Sequence, residues 1–205
     1  MLFLLVIGCE DSKVDTNSET LFNQEISNEE KFAVEKDFSV KNNNLLNLNP
    51  KDMQELLGEP GQKLKEEGYY TDMFNGNDRL VYNYSEFQID FVGKIEEEEF
   101  SFNYLKITND DIDGPRGIRV GQKYEEVIEY FNVDDELNDK TKTLYEGEQV
   151  DNLRISGRVY LDETEEYVEQ VVYIDIYEDQ KASLVLNFDD QEKVEEIILS
   201  KDLTW

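Results

Sequence analysis

The chain contains no histidine and a single cysteine, Cys9. Without histidine, Ser-His-Asp and Cys-His nucleophilic catalysis, imidazole-bound zinc and the commonest general base are all removed. No Gly-x-Ser-x-Gly elbow, phosphate-cradling glycine loop or dinucleotide fingerprint occurs. What remains is carboxylate, in 49 Asp and Glu residues. A carboxylate pair can act as acid and base only where a pocket drives the two pKa values apart, and the sequence singles out no pair. The expectation is a protein that performs no catalysis and carries no cofactor.

One acidic stretch has ligand-like spacing. Asn109, Asp111 and Asp113, with Gly114 at the sixth position, imitate the opening of a calcium loop. Val120 stands where such a loop needs a bidentate Glu. The alternative is an Asp/Gly turn, in which the short polar side chains bond their own backbone, and the pattern favours it. The runs Glu96–Glu99 and Asp134–Glu136 have no ligand spacing and read as solvated edges that discourage strand pairing between molecules.

The formal net charge is −29 over 205 residues. Self-repulsion on that scale favours solubility and opposes phosphate backbones. Lys and Arg are scattered, with no basic run, so nucleic acid is not an expected partner. An aromatic fraction of 12% nevertheless supplies a substantial core.

The chain opens MLFLLVIGCE. Residues 1–8 are apolar and too few to span a bilayer at about 1.5 Å per residue. They read as the end of a signal-peptide apolar region. Val6, Ile7 and Gly8 before Cys9 resemble a bacterial lipobox. That resemblance implies cleavage before Cys9, a lipid on its sulfur and an extracytoplasmic protein anchored to a bacterial membrane. Residues 9–44 are polar, acidic and thinly apolar, and are expected to be a disordered tether, with Ser27 and Glu30 able to cap a short helix.

Any binding residues need helices and strands to position them. Within Gly117–Phe131, Tyr124, Val127, Ile128 and Phe131 fall at i, i+3, i+4 and i+7, one face of a helix capped by Gly121. An earlier helix is signalled by Asn49 as cap, Pro50 at the first position and Gly58 at the end, with Met53, Leu56 and Leu57 apolar. A polar loop is then expected, leading to a strand at Tyr69–Asn75 and a turn at Asn75-Gly76. Period-two alternation predicts strands over Arg79–Tyr84, Glu86–Val92 and Phe100–Thr108. After an acidic linker at Asn132–Lys142, strands are predicted at Thr143–Glu146, Leu153–Leu161, Gln170–Tyr177, Ala182–Phe188 and Lys193–Ser200. The fold class expected is α+β: two tandem repeats, 45–114 and 115–205, each a short helix packed on an antiparallel meander. Tyr82 and Tyr84 are assigned to the core. Tyr173 and Tyr177 are the candidate binding surface, because tyrosine buries area at low rotamer cost.

Over about residues 45–205, Leu56-Leu57-Gly58-Glu59-Pro60, Ile118-Arg119-Val120-Gly121 with Glu126-Val127-Ile128, and Val194-Glu195-Glu196-Ile197 resemble the tandem-repeat fold of the β-lactamase inhibitor protein. The small outer-membrane-assembly lipoproteins use one copy of that fold. The resemblance implies a non-enzymatic module that binds an envelope or secreted protein through a sheet face or loops, as inhibitor or assembly scaffold. The rival expectation is a calcium or small-ligand sensor built on Asn109, Asp111 and Asp113.

Overall fold

The computed structural model describes residues 38–40, 43–70, 77–131, 133–150, 153–164, 167–177 and 180–201. A two-stranded ribbon, β1 (Ser39–Val40) and β2 (Asn43–Asn44), leads into helix α1 (Pro50–Leu57). Strands β3 (Gln62–Tyr70), β4 (Asn77–Asn83), β5 (Phe87–Lys94) and β6 (Glu99–Ile107) come next as a meander. A 3-10 turn, helix α2 (Tyr124–Ile128) and helix α3 (Asp135–Thr141) separate it from a second meander. That meander comprises β7 (Thr143–Val150), β8 (Leu153–Leu161), β9 (Val168–Tyr177), β10 (Gln180–Phe188) and β11 (Val194–Lys201).

The two meanders make one antiparallel sheet of nine strands, ordered β3-β4-β5-β6-β11-β10-β9-β8-β7. Apolar alternation selects its core face. Leu80 lies opposite Phe91, Tyr82 opposite Ile89, Leu105 opposite Leu199, and Leu186 opposite both Ile197 and Val171. All of these are buried. The same core cluster takes in Phe38, Val40, Leu45 and Leu46 before the sheet, Met53 of α1, and Ile112, Ile118, Val127 and Phe131 between the meanders. The architecture is therefore α+β, but mostly β, with one core shared by both halves. Phe38 and Val40 also bring part of the expected tether into the folded core.

Several local expectations change. The expected loop after α1 is strand β3, whose last residues, Tyr69 and Tyr70, begin the expected Tyr69–Asn75 strand; the rest of that strand and the Asn75-Gly76 turn lie outside the described residues. The polar sequence of β3 reflects two accessible faces, and among the described residues only β4 pairs with it. Gly121 does not cap α2. It adopts φ +89°, and its N–H donates to the Val194 carbonyl, which fastens the chain to the start of β11. Lys123 is the cap, and α2 is only five residues long. The predicted apolar face survives the shortening: Val127 and Phe131 are buried, with Tyr124 and Ile128 packed beside them. The acidic linker contains α3, started by Asp134, whose carboxylate accepts from the N–H groups of Glu136 and Leu137 at 3.0 and 3.1 Å.

Leu105 is fully buried where the meanders join, whereas Leu64 on β3 is 40% exposed. Leu105→Ala is expected to cost about 2–5 kcal/mol through lost transfer energy and a residual cavity. Leu64→Ala should stay within about 0.5 kcal/mol. Urea unfolding monitored by intrinsic fluorescence and far-ultraviolet circular dichroism checks both. Coincident transitions that move together in Leu105→Ala are expected from one core; two separated transitions would show independent halves.

Candidate binding groove

A groove of about 1050 Å³ lies between α1 and the outer end of the sheet. It is built from α1, β3, β4, β5, β6 and the β5–β6 turn. Asn49 starts α1 by accepting from the N–H groups of Lys51 and Asp52 at 2.9 and 3.0 Å, and Pro50 supplies a preset φ. Gly58, at φ +86°, ends it and donates to the Gln54 carbonyl. Met53 is buried beneath the helix.

Two tyrosines moor the helix to the sheet. The Tyr82 hydroxyl donates to Gln54 Oε1 at 2.9 Å, and the Tyr84 hydroxyl donates to the Gly58 carbonyl at 3.1 Å. Tyr82 packs edge-on against Phe91, and Tyr84 stacks on Phe87 with ring centres 4.6 Å apart. Burial pushes the Tyr84 phenol up to about 12 and raises Tyr82 as well. Both stay protonated donors at neutral pH. The core assignment holds for Tyr82, and Tyr84 is half-buried against it.

The network continues into one wall. Gln54 Nε2 donates to Glu59 Oε1 at 2.8 Å, and Lys63 Nζ donates to Glu59 Oε2 at 2.9 Å. That hydrogen bond from Lys63 is the main reason the Glu59 carboxyl lies below its usual range. Lys63 also stands 5.3 Å from the centre of the Tyr82 ring. Lys63 and Lys65 are two residues apart on β3, opposite Tyr82 and Leu80, so both share the core-side face of the sheet. Lys51 and Lys94 also line the groove. The fold thus gathers four lysines that the sequence leaves scattered. The Lys63-x-Lys65 spacing was the available cue, but it carries meaning only in a strand, and this segment reads as a loop.

The opposite wall is the β5–β6 turn with Glu97, Glu98 and Glu99. Asp78 positions both walls from β4. Its carboxylate accepts from the Gly68 N–H on β3 at 2.8 Å and from the Ile95 N–H in the turn at 2.7 Å. These bonds, Ile95 first, hold the Asp78 carboxyl below the ordinary value of 3.8. Between the walls, Gly93 lets two strands approach closely: a Cβ there would meet the Glu99 carbonyl oxygen at 1.9 Å.

The sequence-derived candidates lie elsewhere. Val6, Ile7, Gly8 and Cys9 are outside the described residues. Tyr173 and Tyr177 occupy β9, in register with Leu184 and Gln180, and their side chains are outside the described residues. Val171 on β9 is buried, while Val172 on the other face is half-buried. In the loop after β6, Asn109 Oδ1 accepts from the Asp111 N–H at 2.7 Å, and the Asp113 carboxylate is taken by Arg119 Nε. That hydrogen bond holds the Asp113 carboxyl below its usual range. Ile112 is buried between them. Among the described residues, no group of three or more Asp, Glu or Cys is arranged to hold a metal ion. The geometry is that of a closed turn.

Gly93→Ala is expected to destabilise by about 1–3 kcal/mol, because the obstacle is strand backbone rather than a flexible side chain; the urea midpoint checks it. Asp78 gives a pH signature. The unfolded carboxyl binds protons more readily than the folded one. Its stabilisation is therefore complete above the unfolded value of 3.8 and is lost as pH falls through the lower folded value. The stability gap between wild type and Asp78→Asn should be widest above about pH 5 and shrink towards about pH 2 in urea titrations. A gap constant with pH would mean that ionised Asp78 is not the fastening group.

No protein-family model, no curated protein and no solved structure matches this chain.

Proposed function

We propose that the chain is an extracytoplasmic bacterial lipoprotein, anchored through Cys9, that binds another protein and performs no chemistry of its own. The observation that carries the binding reading is the groove, whose amphipathic lining runs beside β3, the edge strand of the sheet among the described residues. An edge strand offers unpaired N–H and C=O groups to an incoming chain. The groove adds an apolar floor in Leu80, Tyr82 and Phe100 and charged walls of both signs. That combination suits a polypeptide better than a small apolar ligand, which a closed pocket would serve. The lipobox-like Val6-Ile7-Gly8-Cys9 supports the address, and the charge of −29 argues against nucleic acid. The Asn109–Gly114 turn lends no support to a calcium sensor, because Arg119 already occupies Asp113.

Membrane fractionation tests the anchor. Cys9→Ser should move the protein from the membrane to the soluble fraction, and unchanged membrane retention would overturn it. A photoreactive residue in place of Lys51, which lines the groove and is 84% exposed, tests the partner. It should trap a discrete adduct in intact cells, while the same residue in place of exposed Glu163, in the β8–β9 turn, should not. Equal labelling from both positions, or none from either, would remove the groove from the reading.

A further inference from the structure

We infer that the groove takes an extended peptide segment with a carboxylate at one end, apolar residues in the middle and a cation at the other. This rests on the protein-binding reading and specifies its ligand. The two walls differ in net charge: the β5–β6 turn sets Glu97, Glu98 and Glu99 beside the single Lys94, while β3 sets Lys65 beside Lys63, which is bonded to Glu59. Lys63 and Lys65 stand on β3, and Lys65 makes no ion pair among the described residues. Facing them across the floor, Glu97 and Glu98 have no cation partner among the described residues. Glu98 is held in the left-handed region at φ +55°, and its N–H donates to the Ile95 carbonyl. The Ile95 N–H in turn donates to Asp78, so the acidic wall is fixed to the same carboxylate that holds β3.

Net charge decides against a simple anion. A protein at −29 repels free phosphate or polyanions at long range. A lysine wall within such a field is open to a carboxylate whose carrier also has a positive end, drawn in by the acidic surface and the glutamate turn. The spacing comes from the sheet. The β3 lysines and the β5–β6 turn are separated by two to three inter-strand steps of about 4.8 Å and a few residues along the strands, on the order of 15 Å in all. An extended peptide covers about 3.3–3.6 Å per residue, so its opposite charges should stand about four or five residues apart. Half-buried Phe100 then receives the apolar residues between them, beside the narrow exposed edges of Leu80 and Tyr82.

Fluorescence polarisation with the full chain tests this. The probe is Asp-Leu-Val-Tyr-Leu-Lys with its N-terminus labelled through an amide and its C-terminus amidated, and the control is Asp-Lys-Leu-Val-Tyr-Leu blocked in the same way, of the same composition with both charges at one end. The probe should bind at least about fivefold more tightly than the control, the size expected from one or two accessible ion pairs. The double variant Lys63→Glu/Lys65→Glu should lose that preference. Binding should return with Lys-Leu-Val-Tyr-Leu-Lys, provided circular dichroism shows the variant folded. The two peptides on the wild-type chain need no variant at all. Equal affinity for both, no binding of either up to millimolar peptide, or an unaffected double variant would overturn the inference. The adduct at position 51 separates the two ideas. If it persists while charge order has no effect, the protein-binding reading stands and the bipolar ligand falls. If it is absent as well, both fall.

Discussion

Four residue pairs between β6 and β11 hold the two meanders in one sheet: Ile107 with Ile197, Lys106 with Ile198, Leu105 with Leu199 and Tyr104 with Ser200. On the core face the seam is entirely apolar, and Leu105, Ile107, Ile197 and Leu199 are fully buried. Had the strands slipped by one residue, Lys106 and Ser200 would have turned into the core. The opposite face reinforces the register with polar contacts. Lys106 pairs with Glu196 across the seam, Asn187 donates to Glu196 at 2.8 Å, and Gln170 donates to Asn187 at 2.8 Å. This ladder crosses β6, β11, β10 and β9. Each contact is modest, but each is made only in the native register.

Buried polar groups on that face are paired. Ser183 and Ser200 share a hydrogen bond with their oxygens 3.1 Å apart. Asp90 is 2% exposed and lies against the guanidinium of Arg79, with Nε donating to Oδ2 at 2.6 Å. Burial raises the Asp90 carboxyl, while the hydrogen bond from Gln88 and the charge of Arg79 draw it back. Arg79 also reaches Glu66 on β3 at 3.0 Å and stacks over the Tyr69 ring at 4.6 Å. Edge strand β3 is thereby fastened from both faces: by Arg79 on one and by the Asp78 bond to Gly68 at the other. An edge strand with one hydrogen-bonded neighbour depends on such side-chain ties, and they keep the lysine wall of the groove in place.

The loop between the meanders is fixed by similar economy of contact. Arg116 sits at φ +58°, its side chain lies over the Phe131 ring at 4.7 Å, and its guanidinium donates to the Tyr130 carbonyl. The left-handed backbone is uncommon for a residue with a side chain, and the stacking on a buried aromatic compensates. Gly121 then hands the chain to β11, and Tyr124 donates its N–H to the Glu192 carbonyl. Helix α2 owes its position to these anchors more than to its five residues of intrinsic helicity.

Residue order alone was enough to place the half-buried strands from Arg79 onward, the capping of α1 by Asn49 and Pro50, and the apolar face that seats Val127 and Phe131. Period-two and period-3.6 alternation are consequences of one-sided burial, so they are written in the residues that make the burial. The absence of histidine chemistry and the acidic surface were equally plain there. Most of strand β3, before Tyr69, and helix α3 stayed hidden, because an edge strand needs little apolar content and a short helix begun by Asp134 looks like a charged linker. That the two meanders share one core emerged from the folded chain, since pairing β6 with β11 joins segments about ninety residues apart and no local pattern encodes that contact. The groove emerged there too: its lysines and glutamates come from a helix, a strand and a turn, and local sequence cannot state which side chains a fold will bring to face one another.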